Sequence, residues 1–434
     1  MGRKRDLRKR SDPDSPTRRT GRPSQTIMRW LTVLTIFVVA LWVLFAVQLI
    51  QLNSSKAARN GSVAERAALN APSAAKVIDG TSGPWGRLQY VPTVISQPRE
   101  MVTSVAPLDP TNLQWHFPKV DREGLSALLT KLGFAEPLRQ ALVSKAQLNH
   151  AHDGMTVRPT EKVVLDLSPE LRTSLYTVLA DYPENEEHVT AFRFPGASPD
   201  EWFEGSGLSA ATRQIVDPLI YRRGNFLFFA DSRLVTHRLP SPQQRWALLK
   251  ALTRFKTLVV RLKISQETDV ESLVHYWGQG GRAKDVRPVL ESFFHEKACG
   301  QIDVRHLLPE LPQRLLYTYK SASELKSSLP PNCHWTSLNF FYEEPQERFA
   351  QKGEIDRELV RSYRSVSGTL RLGDIAVLFN KEGRIVHSAV FIADDVFFTK
   401  NGHHAAVPWI LMSLDLMREC YEAAEFGFYR RKDL

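Results

Sequence analysis

Cysteine is scarce in this chain. There are three in 434 residues, Cys299, Cys333 and Cys420, and no two form a CxxC pair. That excludes a disulfide framework and a clustered zinc site. An odd count leaves one thiol over if the other two pair. Either Cys299 bridges Cys420 and Cys333 stays free, or all three are unpaired. Repeats of fixed period are also missing, which excludes a solenoid. Long apolar runs are missing too, with one exception at residues 30–50. Hydrophobic residues still make up 43% of the chain, so wholesale disorder is excluded.

Positive charge is in excess but badly spread. Residues 1–29 hold ten Lys or Arg and three Asp, a balance of +7 out of the net +10. The bulk of the chain is therefore almost neutral. The basic excess sits in a short tail rich in Arg, Pro and Ser, so no nucleic-acid partner is expected.

The exceptional run is WLTVLTIFVVALWVLFAVQLI, residues 30–50. At helical rise it spans roughly 30 Å, about one bilayer core. A cleaved signal peptide would have a shorter apolar region and a small-residue cleavage site. The expectation is an uncleaved single-pass anchor. The basic tail keeps residues 1–29 cytoplasmic, so residues 51–434 are expected outside, in a periplasm or cell-wall space.

Residues 51–115 are rich in Ala, Ser, Asn, Pro and Gly and read mostly as a linker, with a short strand at Val91–Ile95. Residues 116–310 read as an α/β region of unassigned role. Asp121 is placed to cap a helix carrying Leu125, Leu128, Leu129 and Leu132. Lys162–Leu167 reads as a strand. Ser168-Pro169-Glu170 and Ser241-Pro242 read as helix starts, and Thr257–Leu262 as a strand. Gly278–Arg282 reads as a turn between helices rather than a phosphate loop, since it lacks the Lys-Ser/Thr ending. His275, His295 and His306 lack the tight spacing of a metal helix, and no metal or cofactor is expected.

Chemistry and spacing agree in residues 311–434. Asn332, after Pro330-Pro331, is a helix cap that puts Cys333 in the first turn of a helix running to about Tyr342. Unpaired amides at such an end favour a thiolate and can stabilise an oxyanion. Downstream, Gly373-Asp374 opens a strand at Ile375–Phe379. Asn380–Gly383 turns into a strand at Ile385–Ile392, and Ala393–Asp395 turns into Val396–Thr399. His387, near the start of the middle strand, is placed to face the helix and take the thiol proton. The bland alternative is a buried inert cysteine and a structural histidine.

At these residues the chain resembles the papain-like, NlpC-type cell-wall cysteine peptidases and their CHAP amidase relatives. The resemblance rests on Asn332-Cys333-His334-Trp335, on Gly373-Asp374 and on His387–Ile392, and covers roughly residues 330–405. It implies an α+β fold with the cysteine helix packed on an antiparallel sheet. It also implies Cys333 as nucleophile and His387 as base, acting on peptidoglycan peptides. The chain departs from the NlpC pattern twice. Asn332 stands where an Asp usually precedes the nucleophile. The polar residue that should orient the base has no clear match. Asn401 is the candidate, though Asn401-Gly402 reads equally well as a turn, and His403 is next. Two further readings stay open: a non-catalytic wall-binding scaffold with a degenerate papain-like domain, and a thiol acyltransferase.

Overall fold

The computed structural model describes residues 77–98, 113–151, 153–295, 300–320, 329–402, 407–421 and 423–434. The expected anchor at 30–50, Cys299 and His403 lie outside these residues. No helix among the described residues is long and apolar enough to cross a membrane.

The stretch read as a linker is ordered where it is described. β1 (Ile78–Asp79) and β2 (Arg87–Ile95) are strands, so the short strand expected at Val91–Ile95 is nine residues long. The composition misled because β2 has a far partner: it pairs over its whole length with strand β9 (Phe255–Ile264), some 170 positions on. Such non-local pairing leaves no local signal beyond a run of β-formers.

The middle region mixes short strands and helices. β3 (Trp115–Pro118), β4 (Gln147–Asn149) and β5 (Gly154–Val157) form one small antiparallel sheet. β6 (Phe192–Pro195), β7 (Tyr221–Arg223) and β8 (Phe226–Phe229) form another. Helix Arg122–Lys131 starts as expected, with the Asp121 side chain accepting from Gly124 N. Helix Pro169–Ala180 is capped by Ser168, and helix Pro242–Leu252 by a capping box of Ser241 and Gln244. One expectation fails: Glu161–Leu165 is a helix capped by Thr160, not a strand. A run of three apolar residues, Val163–Leu165, fits either period, and the cap decided it.

His188 lies in the core of this region, edge-on to the Tyr176 ring at 4.5 Å. Burial, helped by the charge of Arg172, pushes its pKa down to about 4. The folded protein therefore holds His188 neutral, while the unfolded chain protonates it below about pH 6.5. Its contribution is complete above pH 6.5 and is lost as pH falls towards 4, by roughly 3 kcal/mol at most. Urea midpoints measured from pH 7.5 to 4 should fall across that window. The fall should be shallower in His188→Phe, which keeps a ring and cannot titrate.

β9 (Phe255–Ile264) and β10 (Gly300–Asp303) complete a four-stranded sheet in the order β1-β2-β9-β10. Helices Val270–Trp277 and Ala283–His295 follow β9, with Gly278–Arg282 as the turn between them. The C-terminal part is a six-stranded antiparallel sheet. Its strands are β11 (Tyr363–Ser365), β12 (Ile375–Phe379), β13 (Ile385–Ala393), β14 (Val396–Lys400), β15 (Trp409–Met412) and β16 (Glu425–Arg431), in the order β11-β16-β12-β13-β14-β15. Both faces are covered. Val377, Val390, Ile392 and Phe398 pack with Trp335 and Leu338 of helix Cys333–Leu338. Ala376, Leu378, Phe391 and Met412 pack with Met417 of helix Leu414–Tyr421. That is why these strands read as near-continuous apolar runs. Thr257 ties the two large sheets together, its hydroxyl donating to Leu411 O and accepting from Leu411 N, both at 3.0 Å. The fold is therefore α+β with antiparallel sheets.

Gly373-Asp374 is a brace in this frame. Gly373 has φ +94°, and a Cβ there would stand 2.1 Å from the Phe341 ring, so only glycine fits. The buried Asp374 carboxylate receives two bonds from Arg430, at 2.7 and 2.6 Å, and one from Arg371 N at 2.8 Å. It locks the start of β12 to β16.

Candidate active site

Local sequence builds the nucleophile's position. Asn332 is extended, and its side-chain oxygen accepts from Trp335 N at 2.9 Å. This makes Cys333 the first helical residue, as expected. The helix stops at Leu338 rather than Tyr342. Asn339 ends it by exchanging two hydrogen bonds with the Gln346 backbone, at 2.8 and 3.2 Å. The aromatic run beyond it, Phe340-Phe341-Tyr342, carries no sign of that partner.

Cys333 is 7% exposed. Burial pushes its thiol up to about 11, against the opposing pull of hydrogen bonds from the backbone of Ser388, His334 and Cys333 itself and of the Lys400 charge. The neighbouring imidazole is His334, with Nδ1 3.7 Å from the sulfur and 2.9 Å from Ser388 Oγ. Burial lowers the His334 pKa to about 4.

His387 does not hydrogen-bond Cys333, and this corrects the expected dyad. The reason is strand alternation. Ser388 pairs opposite Val377 and points to the thiol helix, where it meets His334. His387 pairs opposite Leu378 and points to the other face, stacked on the Tyr421 ring with centroids 4.0 Å apart.

Asn401 does not orient the imidazole, a second correction. Its amide nitrogen reaches Met412 Sδ at 3.4 Å, and its oxygen has no partner. Two residues earlier on the same face, Thr399 Oγ1 lies 2.9 Å from His387 Nε2. Thr399 also donates to Ser388 O at 3.2 Å. With the hydroxyl proton assigned to that carbonyl, Thr399 accepts from His387 Nε2–H. The imidazole is fully buried, and burial holds its pKa well below 6.5, helped by the charges of His334 and Arg193. Neutral, with its proton on Nε2, it carries a bare lone pair on Nδ1. That nitrogen is buried and has no partner.

Sequence reasoning placed Cys333 and missed Thr399, Ser388 and Tyr421, and gave His334 no role. The hairpin turn at Ala393–Asp395 contained the signal for Thr399. Folding back there puts 397, 399 and 401 on the face of 387, 389 and 391. Chemically, the site offers a thiol among backbone donors with the neutral His334 imidazole 3.7 Å away. No family model, no curated protein and no solved structure matches this chain.

Proposed function

We propose that residues 311–434 form a papain-like thiol hydrolase that cleaves amide bonds, in peptidoglycan peptides, outside a membrane to which residues 30–50 anchor the chain. Cys333 Sγ attacks the carbonyl carbon, and the thiol proton passes to His334 Nδ1, 3.7 Å from the sulfur. The proton then goes to the leaving amine as the C–N bond breaks, giving a thioester. Water, deprotonated by the same nitrogen, releases the acid. The amides around the sulfur suit the oxyanion.

One observation carries this reading: at a capped helix start the Cys333 sulfur meets the neutral His334 imidazole, Nδ1 3.7 Å away, and Ser388 Oγ holds that ring at 2.9 Å. A thiol–imidazole contact that tightens only with substrate is common in resting enzymes. A second reading, a scaffold with a degenerate site, is favoured by the thiol raised to about 11 with no hydrogen bond to His387.

The test uses the full chain in lipid nanodiscs, incubated with purified sacculi and compared with Cys333→Ala. The expected result is new peptide termini by mass spectrometry, lost in the variant. Acyl transfer without new termini would point to the acyltransferase. Intact sacculi, with Cys333 no more reactive to chloroacetamide than a free thiol, would leave the scaffold.

A further inference from the structure

The sheet face that carries His387, Thr399 and Asn401 borders a cavity of about 440 Å³. Its far wall comes from β6, β8 and helix Pro242–Leu252 of the middle region. Its near wall comes from β15 and helix Leu414–Tyr421. The size lies within the range of small-ligand sites, ~300–1,000 Å³.

The walls are mainly apolar, with Phe229, Leu252, Ile410 and Met412 among them. Three charged side chains also line it, and two are neutralised within the protein. Glu187 pairs with Arg233 at 2.5 Å, and Lys256 with Glu201 at 2.9 Å. Arg193 is different. Its Nη1 donates to Cys420 O at 2.9 Å and its guanidinium lies over the Tyr421 ring, 5.8 Å from the centroid. No carboxylate meets it among the described residues. A half-buried guanidinium held by a carbonyl and a ring keeps donors and a full charge for an anion. Uncharged polar residues at the wall include Thr190, Ser232, Thr253 and Asn401, and the buried oxygen of Asn401 is unpartnered. Turned over, the same amide presents N–H groups instead.

We propose that this cavity binds a single-chain amphiphile with a carboxylate head, a fatty-acid-like anion. Its head sits on Arg193, beside the Asn401 amide, and its chain lies among Phe229, Leu252, Ile410 and Met412. A purely apolar ligand would leave the Arg193 charge unanswered, and a small anion would leave the apolar walls wet. The proposal does not depend on Cys333 being a nucleophile.

Cys420 lines the cavity and is an unpaired thiol, so it reports occupancy. The full chain in nanodiscs is treated with N-ethylmaleimide at pH 8.5, and modification of Cys420 is followed by peptide mass spectrometry. Decanoate should slow it about tenfold, the worth of one charge-assisted contact. Decanol, which enters the bilayer as readily, and acetate should each leave it within about twofold. Arg193→Gln should abolish protection by decanoate, and Arg193→Lys should keep part of it, showing that the cavity still forms. Absence of protection by decanoate would overturn the proposal. So would equal protection by decanol, or protection that survives in Arg193→Gln.

Discussion

His334→Ala is expected to slow acylation of Cys333 by p-nitrophenyl acetate by roughly 10²–10⁴-fold, the usual worth of a positioned general base. The burst of p-nitrophenolate measures it directly. The size of the effect follows from the resting protonation states. Burial holds the thiol near 11 and both imidazoles low, so the site rests as a neutral thiol beside neutral rings. The sulfur must lose its proton during attack, and the group that takes it governs the rate. His334 Nδ1 lies 3.7 Å from the sulfur and 2.9 Å from Ser388 Oγ, which holds the ring. His387 stacks on Tyr421 on the other sheet face. His387→Ala should therefore cost less than His334→Ala; the reverse order would make His387 the base. Ser388→Ala removes the hydroxyl that holds the His334 ring. It should cost about tenfold, in line with one lost hydrogen bond. Asn401→Ala should cost nothing in this assay, because its amide does not meet the ring. A His334→Ala rate within twofold of the parent would sink the assignment.

The local parts of this site were legible. Asn332 caps its own turn, so three consecutive residues fix where Cys333 stands. The strands β12, β13 and β14 could be read because turn residues separate three apolar runs. Facing was not legible. A strand's side chains switch faces with each residue, so a single extra residue moves His387 from one face to the other. Register shifts occur in both hairpins, between Leu378 and Phe379 and between Phe391 and Ala393. Neither has a sequence mark. Thr399 and Tyr421 were hidden for a related reason. A hydroxyl that orients an imidazole 12 positions away, and a ring that stacks on it from a later helix, have meaning only once the sheet is closed. The linker reading failed on distance as well, since β2 is a strand only in the company of β9.

Arg172→Met should cost roughly 3–5 kcal/mol of stability, read from urea denaturation by circular dichroism. Arg172 is fully buried in helix Pro169–Ala180. Its Nη1 donates to Asp231 Oδ2 at 2.8 Å and to the Tyr176 hydroxyl at 3.0 Å, and its Nη2 donates to Val164 O at 2.6 Å. Tyr176 in turn donates to the other Asp231 oxygen at 2.7 Å. Methionine fills similar space but leaves Asp231 buried with one neutral donor. Burial already raises the Asp231 pKa, and Arg172 is the main force against that. Without it the carboxyl is more stable protonated. The penalty relative to the parent should then be smaller at pH 5 than at pH 8, because a raised carboxyl pKa contributes stability at low pH and loses it as pH rises. The double variant Arg172→Met with Asp231→Leu should recover much of the loss, since removing both charges removes the desolvation cost of each. This network joins helix Pro169–Ala180 to the segment leading from β8, and the residues just past β8 include wall residues of the cavity, Ala230 and Ser232. A single Arg172→Met change should therefore also loosen the cavity, raising maleimide modification of Cys420 in the absence of any ligand, while the double variant should restore it. If stability falls and Cys420 modification does not change, the network holds the middle region together without shaping the cavity.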